Sequence, residues 1–494
     1  MSDPRLSHRS NPLLRDAHVE GGVAGAAHRP ADACGPEAGN FFQADRAKTR
    51  PEAGPPRHDE RVANSRRSFP GRLNLFQATM LDWRDFHPYN AVHAVQIERP
   101  LDPARVVTAI EGELARAGLA GLELDRAHAR YAWRGGRPDV VLELLSADPE
   151  WEVALAQAFE RHLNAPFARD GRINPFRFFV MPVEAGFFLG IAYDHFIAGG
   201  DSIIVLLNAI AARYAGGAPT DAPLRLYPRT HARLFLRHPL AFARGLRRLP
   251  AQIASCRRTI RPRYRRAEDG YNAFTFFRIA PERYGALRDA AHAWGVTLND
   301  ALMALLLLAQ EATLTPRDMT KRRREFAVAS IINLRSAHGD NPLASFGQFL
   351  SSFRVSHPVP AGITLPELAR DVHAATSRIK REKLFLTTLF AMAVDRMIGR
   401  WRTLPQRMAG YAKSYPVGAG VSSLNVDALW RTTEDEAVPL YVRGVPTGPL
   451  SPIVLAVTTS ANGLCAGISY RTTALSRDDV AALRDDLLRR IEAL

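Results

Sequence analysis

The chain has 494 residues, more than one hydrophobic core ordinarily fills; its apolar share of 46% is that of a globular protein, and 65 Lys and Arg against 50 Asp and Glu give a formal charge of +15. Three cysteines, Cys34, Cys256 and Cys465, have neither framework nor metal spacing, which argues against a disulfide scaffold or a zinc site and for a reducing cytoplasm. No apolar run reaches the roughly 20 residues needed to span a bilayer, the densest being Ala301 to Ala309, and the N-terminus lacks a signal-peptide core.

Residues 1–68 mix Ala, Gly, Pro, Arg and acidic residues without sustained periodicity, which predicts a disordered N-terminal tail. His8, His18, His28 and His58 lie there without metal-like spacing and are assigned no chemistry. From Gly71 the pattern predicts a helix near Leu75 to Arg84, a strand near Ala91 to Ile97, and helices near Pro103 to Ala117 and Trp151 to Asn164. Phe176 to Met181 and Gly186 to Tyr193 are short and rich in aromatic and aliphatic residues, and the break from Pro182 to Ala185 suits a hairpin. Ile203 to Ile210 reads as a buried helix with Asp201 or Ser202 as its N-cap. His195 is thereby placed just past a strand end, with Gly199 and Gly200 allowing close approach of backbone before the helix.

An Arg-rich connector follows over 222–268. Beyond it the pattern gives a strand at Phe274 to Ile279, a helix at Pro281 to Trp294, and a buried helix at Asn299 to Ala312 capped by Asn299 or Asp300. Phe326 to Ile332 reads as a central strand, and Ser476 to Leu494 as a docked surface helix with apolar residues near every 3.6 positions. The organisation read from the sequence is therefore a tail (1–68), a first half (69–221), the connector (222–268) and a second half (269–494).

The stretch Asp194-His195-Phe196-Ile197-Ala198-Gly199-Gly200-Asp201-Ser202 carries two resemblances. It resembles the His-His-x-x-x-Asp-Gly motif of the superfamily that includes chloramphenicol acetyltransferase, peptide-synthetase condensation domains and wax ester synthases, with His195 on the histidine that is that family's general base. It also resembles the Leu-Gly-Gly-Asp-Ser segment of a carrier protein, in which Ser202 would take a phosphopantetheine arm. The two predicted strands ahead of it favour the acyltransferase, since a carrier has a helix and a long loop there. Further landmarks fall in the acyltransferase order. Leu75-Phe76-Gln77 through His87-Pro88-Tyr89-Asn90 and Val95 to Asp102 resemble the opening helix and strand, and Val296 to Ala301 the helix that opens the second half. Ile332-Asn333-Leu334-Arg335 with Phe346-Gly347-Gln348-Phe349 resembles an Asn-x-Arg strand and Gly-x-Phe turn; Val421-Ser422-Ser423-Leu424-Asn425 and Ile468 to Arg471 resemble the late strands. The resemblance spans about residues 70 to 494 and implies an α/β (α+β) architecture of two chloramphenicol acetyltransferase-like halves with the active site at their interface.

Two positions depart from the motif: Asp194 replaces the first histidine and Gly199 replaces the aspartate. In the family that aspartate holds an arginine, so Arg335 is expected to find another carboxylate, Asp194 or Asp201, because an unpaired buried arginine is costly. The resemblance implies acyl transfer from an acyl-CoA or phosphopantetheinyl carrier thioester to a hydroxyl or amine, with His195 as general base and no bound cofactor or metal. Gly199 and Gly200 would leave room for the pantetheine arm, and the helix N-terminus near Asp201 would favour developing negative charge. Asp194, Gly199, Gly200, Asp201, Ser202, Asn333, Arg335 and Ser422 are expected to bind substrate or support the site. The competing readings are a non-catalytic, condensation-like binding protein, with His195 merely a hydrogen-bonded strand-end residue, and the carrier modified at Ser202.

From Arg225 to Arg266 the connector holds thirteen arginines and no acid, interleaved with Leu234, Phe235, Leu236, Leu240, Phe242, Leu246, Leu249 and Ile253. This composition suits peripheral contact with an anionic membrane at its cytoplasmic face, docking of an acidic acyl carrier protein or coenzyme A phosphates, or a plain solvated linker that Pro239 and Pro250 break into short pieces. Nucleic acid is disfavoured because no recognition motif accompanies the charge. The sequence contains no Gly-x-Ser-x-Gly elbow, zinc helix or phosphate-binding loop. Glu434-Asp435-Glu436 reads as solvated surface and Cys465 as a structural thiol.

Overall fold

The computed structural model describes Phe41–Phe42 and residues 70–494 apart from 218–224, 227–230, 267, 315–319, 321, 339–344 and 431–437. The expected tail, those two residues aside, and the acidic cluster Glu434-Asp435-Glu436 lie outside the described residues.

Two six-stranded sheets organise the described chain. The first runs Phe41–Phe42, Leu142–Leu144, Phe176–Val183, Gly186–Asp194, Asn90–Ile97, Tyr441–Gly444. At its centre is the expected hairpin, antiparallel from Phe176↔Tyr193 to Val183↔Gly186, so that only Glu184 and Ala185 form the turn. Both strands are buried on both faces, which explains their nearly unbroken apolar character. Helices Leu75–Trp83, Pro103–Arg116 and Gly200–Tyr214 share one core with this sheet, while Trp151–Asn164 closes another around Phe159 and Phe179. The first of these helices starts on a reciprocal cap: Asn74 Oδ1 accepts the Gln77 N–H at 2.9 Å and Gln77 Oε1 accepts the Asn74 N–H at 2.9 Å.

The second sheet runs Asn272–Ile279, Gly463–Arg471, Ile453–Ser460, Ala419–Asn425, Phe326–Asn333, Leu350–His357. Helices Leu298–Leu314, Leu365–Arg381 and Arg477–Glu492 cover it. The helix and the central strand expected within 299–332 are both present, and the strand Phe326–Asn333 pairs antiparallel with Leu350–His357 and parallel with Ala419–Asn425. The last strand of the first sheet, however, comes from late in the chain. Tyr441–Gly444 pairs antiparallel with Asn90–Ile97, Tyr441 opposite Val95 and Gly444 opposite Val92, so the second half supplies an edge to the first sheet. A parallel pair, Arg225–Leu226 with Ser345–Phe346, ties the start of the connector to the second half.

The connector folds into three short helices, Ala232–Arg237, Pro239–Arg247 and Leu249–Arg258; the last two open on the prolines that interrupt the pattern. Its apolar residues divide. Phe235 and Phe242 meet edge to face at 5.1 Å and lean on the main core, with Phe242 also 5.4 Å from Phe390. Leu236 and Leu240 are 79% and 74% exposed. No helix among the described residues is long and apolar enough to cross a membrane.

Candidate active site

His195 sits one residue past the strand Gly186–Asp194, as the pattern predicts, and its loop is held from several directions. The His195 N–H donates to the Tyr89 carbonyl at 3.1 Å, and its ring stacks on Tyr89 with centroids 5.7 Å apart. Nδ1 lies 3.2 Å from the Ala198 carbonyl. A carbonyl only accepts, so Nδ1 carries the proton and Nε2 is left as the acceptor nitrogen. Burial pushes the His195 pKa down to about 4, with the nearby Arg443 cation acting in the same direction and the Ala198 bond opposing both. The imidazole is therefore neutral at physiological pH.

The Gly-x-Phe turn of the second half clamps this loop. Gln348 Nε2 donates to the carbonyls of His195 at 3.0 Å and Ala198 at 3.2 Å, while the Gly199 N–H donates to the Gly347 carbonyl at 2.9 Å. Gly199 is the N-cap of the helix Gly200–Tyr214, which displaces the expected caps Asp201 and Ser202 into the first turn, where their side chains do other work. Asp201 holds Arg335: Oδ2 is 2.7 Å from Nε and Oδ1 accepts from NH2 at 3.0 Å, and Asn333 Nδ2 donates to Oδ2 at 2.7 Å. Of the two candidate carboxylates, then, Asp201 is the one that pairs with Arg335. Asp194 instead pairs with Arg84 at 2.8 Å, beneath the site; burial raises its pKa to about 6, against the lowering pull of Arg84.

Ser202 is 2% exposed, and its Oγ accepts from Arg335 NH2 and from the Gly347 N–H at 3.1 Å. A hydroxyl so enclosed cannot be presented to a modifying enzyme, which overturns the carrier reading. The expected contribution of the helix N-terminus is also reduced, because the Ser202 N–H is taken by Asp201 Oδ1 and the Gly199 N–H by Gly347. The space that Gly200 leaves is filled by the protein's own side chains. A Cβ there would lie 2.7 Å from Leu424 Cδ1 and 2.9 Å from Arg443 NH1.

A cavity of about 190 Å³ opens beside His195, walled by Phe76, Met80, Trp83 and Tyr89 from the first half and by Asn299, Ser330, Asn333, Ser422 and Leu424 from the second. Asn299 Oδ1 accepts from Ser423 Oγ at 3.1 Å and from Ser330 at 3.4 Å, giving one polar wall. Gly200, Asp201, Asn333 and Ser422 all reach the cavity lining, whereas Asp194, Ser202 and Arg335 support it from behind.

Three residues of the site escaped the sequence reading. His93 is fully buried, its Nδ1 2.8 Å from the Tyr441 hydroxyl and its Nε2 3.3 Å from that of Tyr193; burial, Arg443 and His195 all push its pKa well down. Arg443 is buried, and desolvation lowers its pKa to about 10. Both lie inside apolar strands, where the alternation that would have marked an inward polar residue is absent. Arg84, the partner of Asp194, follows the first helix and carries no motif at all.

Solved structures with a similar fold were found. The first condensation domain of the CDA synthetase superposes with a TM-score of 0.59 at 17% identity, covering 87% of this chain and 96% of that one. This chain has the condensation-domain fold. The epimerization domain from the third module of tyrocidine synthetase B gives a TM-score of 0.57 at 13% identity, with 85% and 95% of the two chains covered. The starter condensation domain of rhizomide synthetase, solved as a double mutant with C8-CoA and Leu-SNAC, gives 0.59 at 14% identity over 89% and 96%. No family model and no curated protein matches the sequence. The condensation-domain fold carries the expected two-half α/β architecture.

Proposed function

We propose that the protein is an acyltransferase that moves an acyl group from a thioester, on coenzyme A or an acyl carrier protein, to a hydroxyl or amine acceptor. The observation that carries this reading is the neutral, oriented His195: its Nδ1–H is spent on Ala198, its Nε2 is free to accept a proton, and it lines a cavity shared by both halves. In the reaction, Nε2 takes the proton of the acceptor O–H or N–H as that atom attacks the thioester carbonyl. The tetrahedral intermediate collapses, the C–S bond breaks, and the imidazolium returns its proton to the departing thiolate. No covalent enzyme intermediate is required.

One structural relative, solved in complex with C8-CoA and Leu-SNAC, supports a thioester here. Exposed Leu236 and Leu240 among the connector arginines support either a carrier or an anionic membrane at the cytoplasmic face as a further contact. The decisive experiment incubates the purified chain with a panel of acyl thioesters and amine or alcohol acceptors, measuring thiol release and product mass. His195→Ala is expected to lower turnover by roughly 10²- to 10⁴-fold while leaving the circular dichroism spectrum unchanged. Turnover of the variant within a fewfold of the parent would remove His195 as the base, whereas no turnover by the parent across the panel would point to the non-catalytic binding protein instead.

A further inference from the structure

Arg443 is the one strong charge of the cavity that the acyl-transfer reading leaves without a task. It stands on Tyr441–Gly444, the strand that the late part of the chain adds to the first sheet, and it lines the cavity together with His195 and Gly200. Its side chain is anchored on one side only. Nε donates to Thr458 Oγ1 at 3.1 Å, and NH2 donates to the carbonyls of Ser422 at 2.6 Å and Val457 at 2.8 Å. These partners are a hydroxyl and two backbone carbonyls, none of them anionic. NH1, with two further protons, has no hydrogen-bond partner among the described residues and lies against Gly200, five residues from His195 in sequence.

Among the described residues, no carboxylate bonds to Arg443. His93, packed beside Gly200, is held neutral by burial, and the Tyr193 and Tyr441 hydroxyls stay protonated because burial raises both. The field of Asp201 reaches Arg443, but that carboxylate is already engaged by Arg335 and Asn333. A buried guanidinium without an acid is costly and gains most from a permanent anion brought by a ligand; a transient oxyanion would leave it uncompensated through the whole resting complex.

We propose that Arg443 binds a carboxylate on one of the two reacting molecules, so that the natural substrate pair includes a small, largely apolar acid. The shape agrees with the charge. The cavity, about 190 Å³, exceeds the ~150 Å³ that accommodates benzene in an engineered protein, and its first-half wall of Phe76, Met80, Trp83 and Tyr89 suits a ring or short hydrocarbon. The acid end would meet NH1 while the apolar body lies against that wall. This deepens the acyl-transfer reading and rests on it only for calling the acid a reactant; binding itself needs no catalysis.

The test uses 3-phenylpropanoate and 3-phenylpropanamide, which share an apolar body and differ in charge, titrated calorimetrically into the full chain, Arg443→Met, Arg443→Lys and His195→Ala. The acid should bind the parent and His195→Ala at least about tenfold more tightly than the amide does, and Arg443→Met should abolish the preference, with Arg443→Lys retaining part of it. Equal binding of acid and amide by the parent overturns the proposal without reference to any variant, so a misfolded Arg443→Met cannot rescue it. Preference for the acid in an inactive parent would leave the anion site standing and remove only the acyl-transfer reading. Once acceptors are known, each acid is compared with its methyl ester. Arg443→Met should raise KM for the acid alone; an equal fall in kcat on both would assign Arg443 to the oxyanion and refute carboxylate recognition.

Discussion

Removing the Asp201 carboxylate tests whether this residue has replaced the motif aspartate. Arg335 is nearly enclosed, with a side chain 3% exposed, and Asp201 meets it through two oxygens at 2.7 and 3.0 Å. In Asp201→Ala the guanidinium keeps its bonds to Ser345 and Ser202 and its position 4.1 Å from the Phe349 ring, but it loses its only anionic partner among the described residues. Stranding a buried charge in this way typically costs about 3–5 kcal/mol, a large part of the roughly 5–15 kcal/mol that holds a domain together. Urea denaturation followed by fluorescence should therefore show a lower midpoint at similar slope. The loss should be much smaller when Arg335→Met is added, because the double variant no longer buries a charge. Activity should fall too, since Asn333 and Arg335 would no longer fix the first turn beside His195. Gly199→Asp in the parent should not raise activity: its Cβ alone would lie 2.8 Å from Asp201 Oδ1, bringing two carboxylates onto one arginine. A loss under about 1 kcal/mol in Asp201→Ala, or a large gain of activity in Gly199→Asp, would refute the substitution of one aspartate for the other.

Two further outcomes follow from the charges. Because the His195 pKa lies near 4 and not at 6.5, the base is already neutral at pH 5, so kcat/KM should rise with pH through about 4 and stay level from 5 to 8; an acid limb near 6.5 contradicts the burial argument. The same shift means the unfolded chain binds more protons than the folded one between those values, so this group's contribution to stability is lost as pH falls below 6.5, and the profile should be taken with a fold monitor alongside. The connector should bind anionic but not neutral liposomes, with an attraction that fades as salt shortens the Debye length from about 10 Å at 0.1 M toward about 3 Å at 1 M and a remainder contributed by Leu236 and Leu240. Exposed Arg233, Arg244 and Arg247 changed together to Gln should weaken sedimentation more than removing residues 1–67 does; equal binding by all forms, or none by the parent, returns the connector to carrier docking or plain linkage.

The parts of the site that were legible in the sequence are those whose chemistry is local. A strand, a short break and a Gly-Gly step into an apolar helix place His195 without knowledge of anything distant, while Asn333, Arg335 and Gly347 were marked by the resemblance of their short segments to family landmarks. The cap of the helix Gly200–Tyr214 was misplaced for a related reason. Asp201 and Ser202 are good capping residues by type, but Arg335 and the Gly347 backbone, more than 130 positions away, compete for them, and Gly199 caps with no side chain at all.

Arg443 is the opposite case. Nothing within Tyr441-Val442-Arg443-Gly444-Val445 says that the segment pairs with Asn90–Ile97 across the molecule. Only that pairing turns the guanidinium inward, and only Gly200, lacking a Cβ, lets it lie against the loop that carries His195. The position of His195 is thus specified by neighbours in sequence, while the cation that lowers its pKa and lines the same cavity is specified by a strand delivered from the other half. If His195 is the base and Arg443 the carboxylate site, as proposed, exchanging the single residue on the crossing strand would change the substrate and leave the reaction alone.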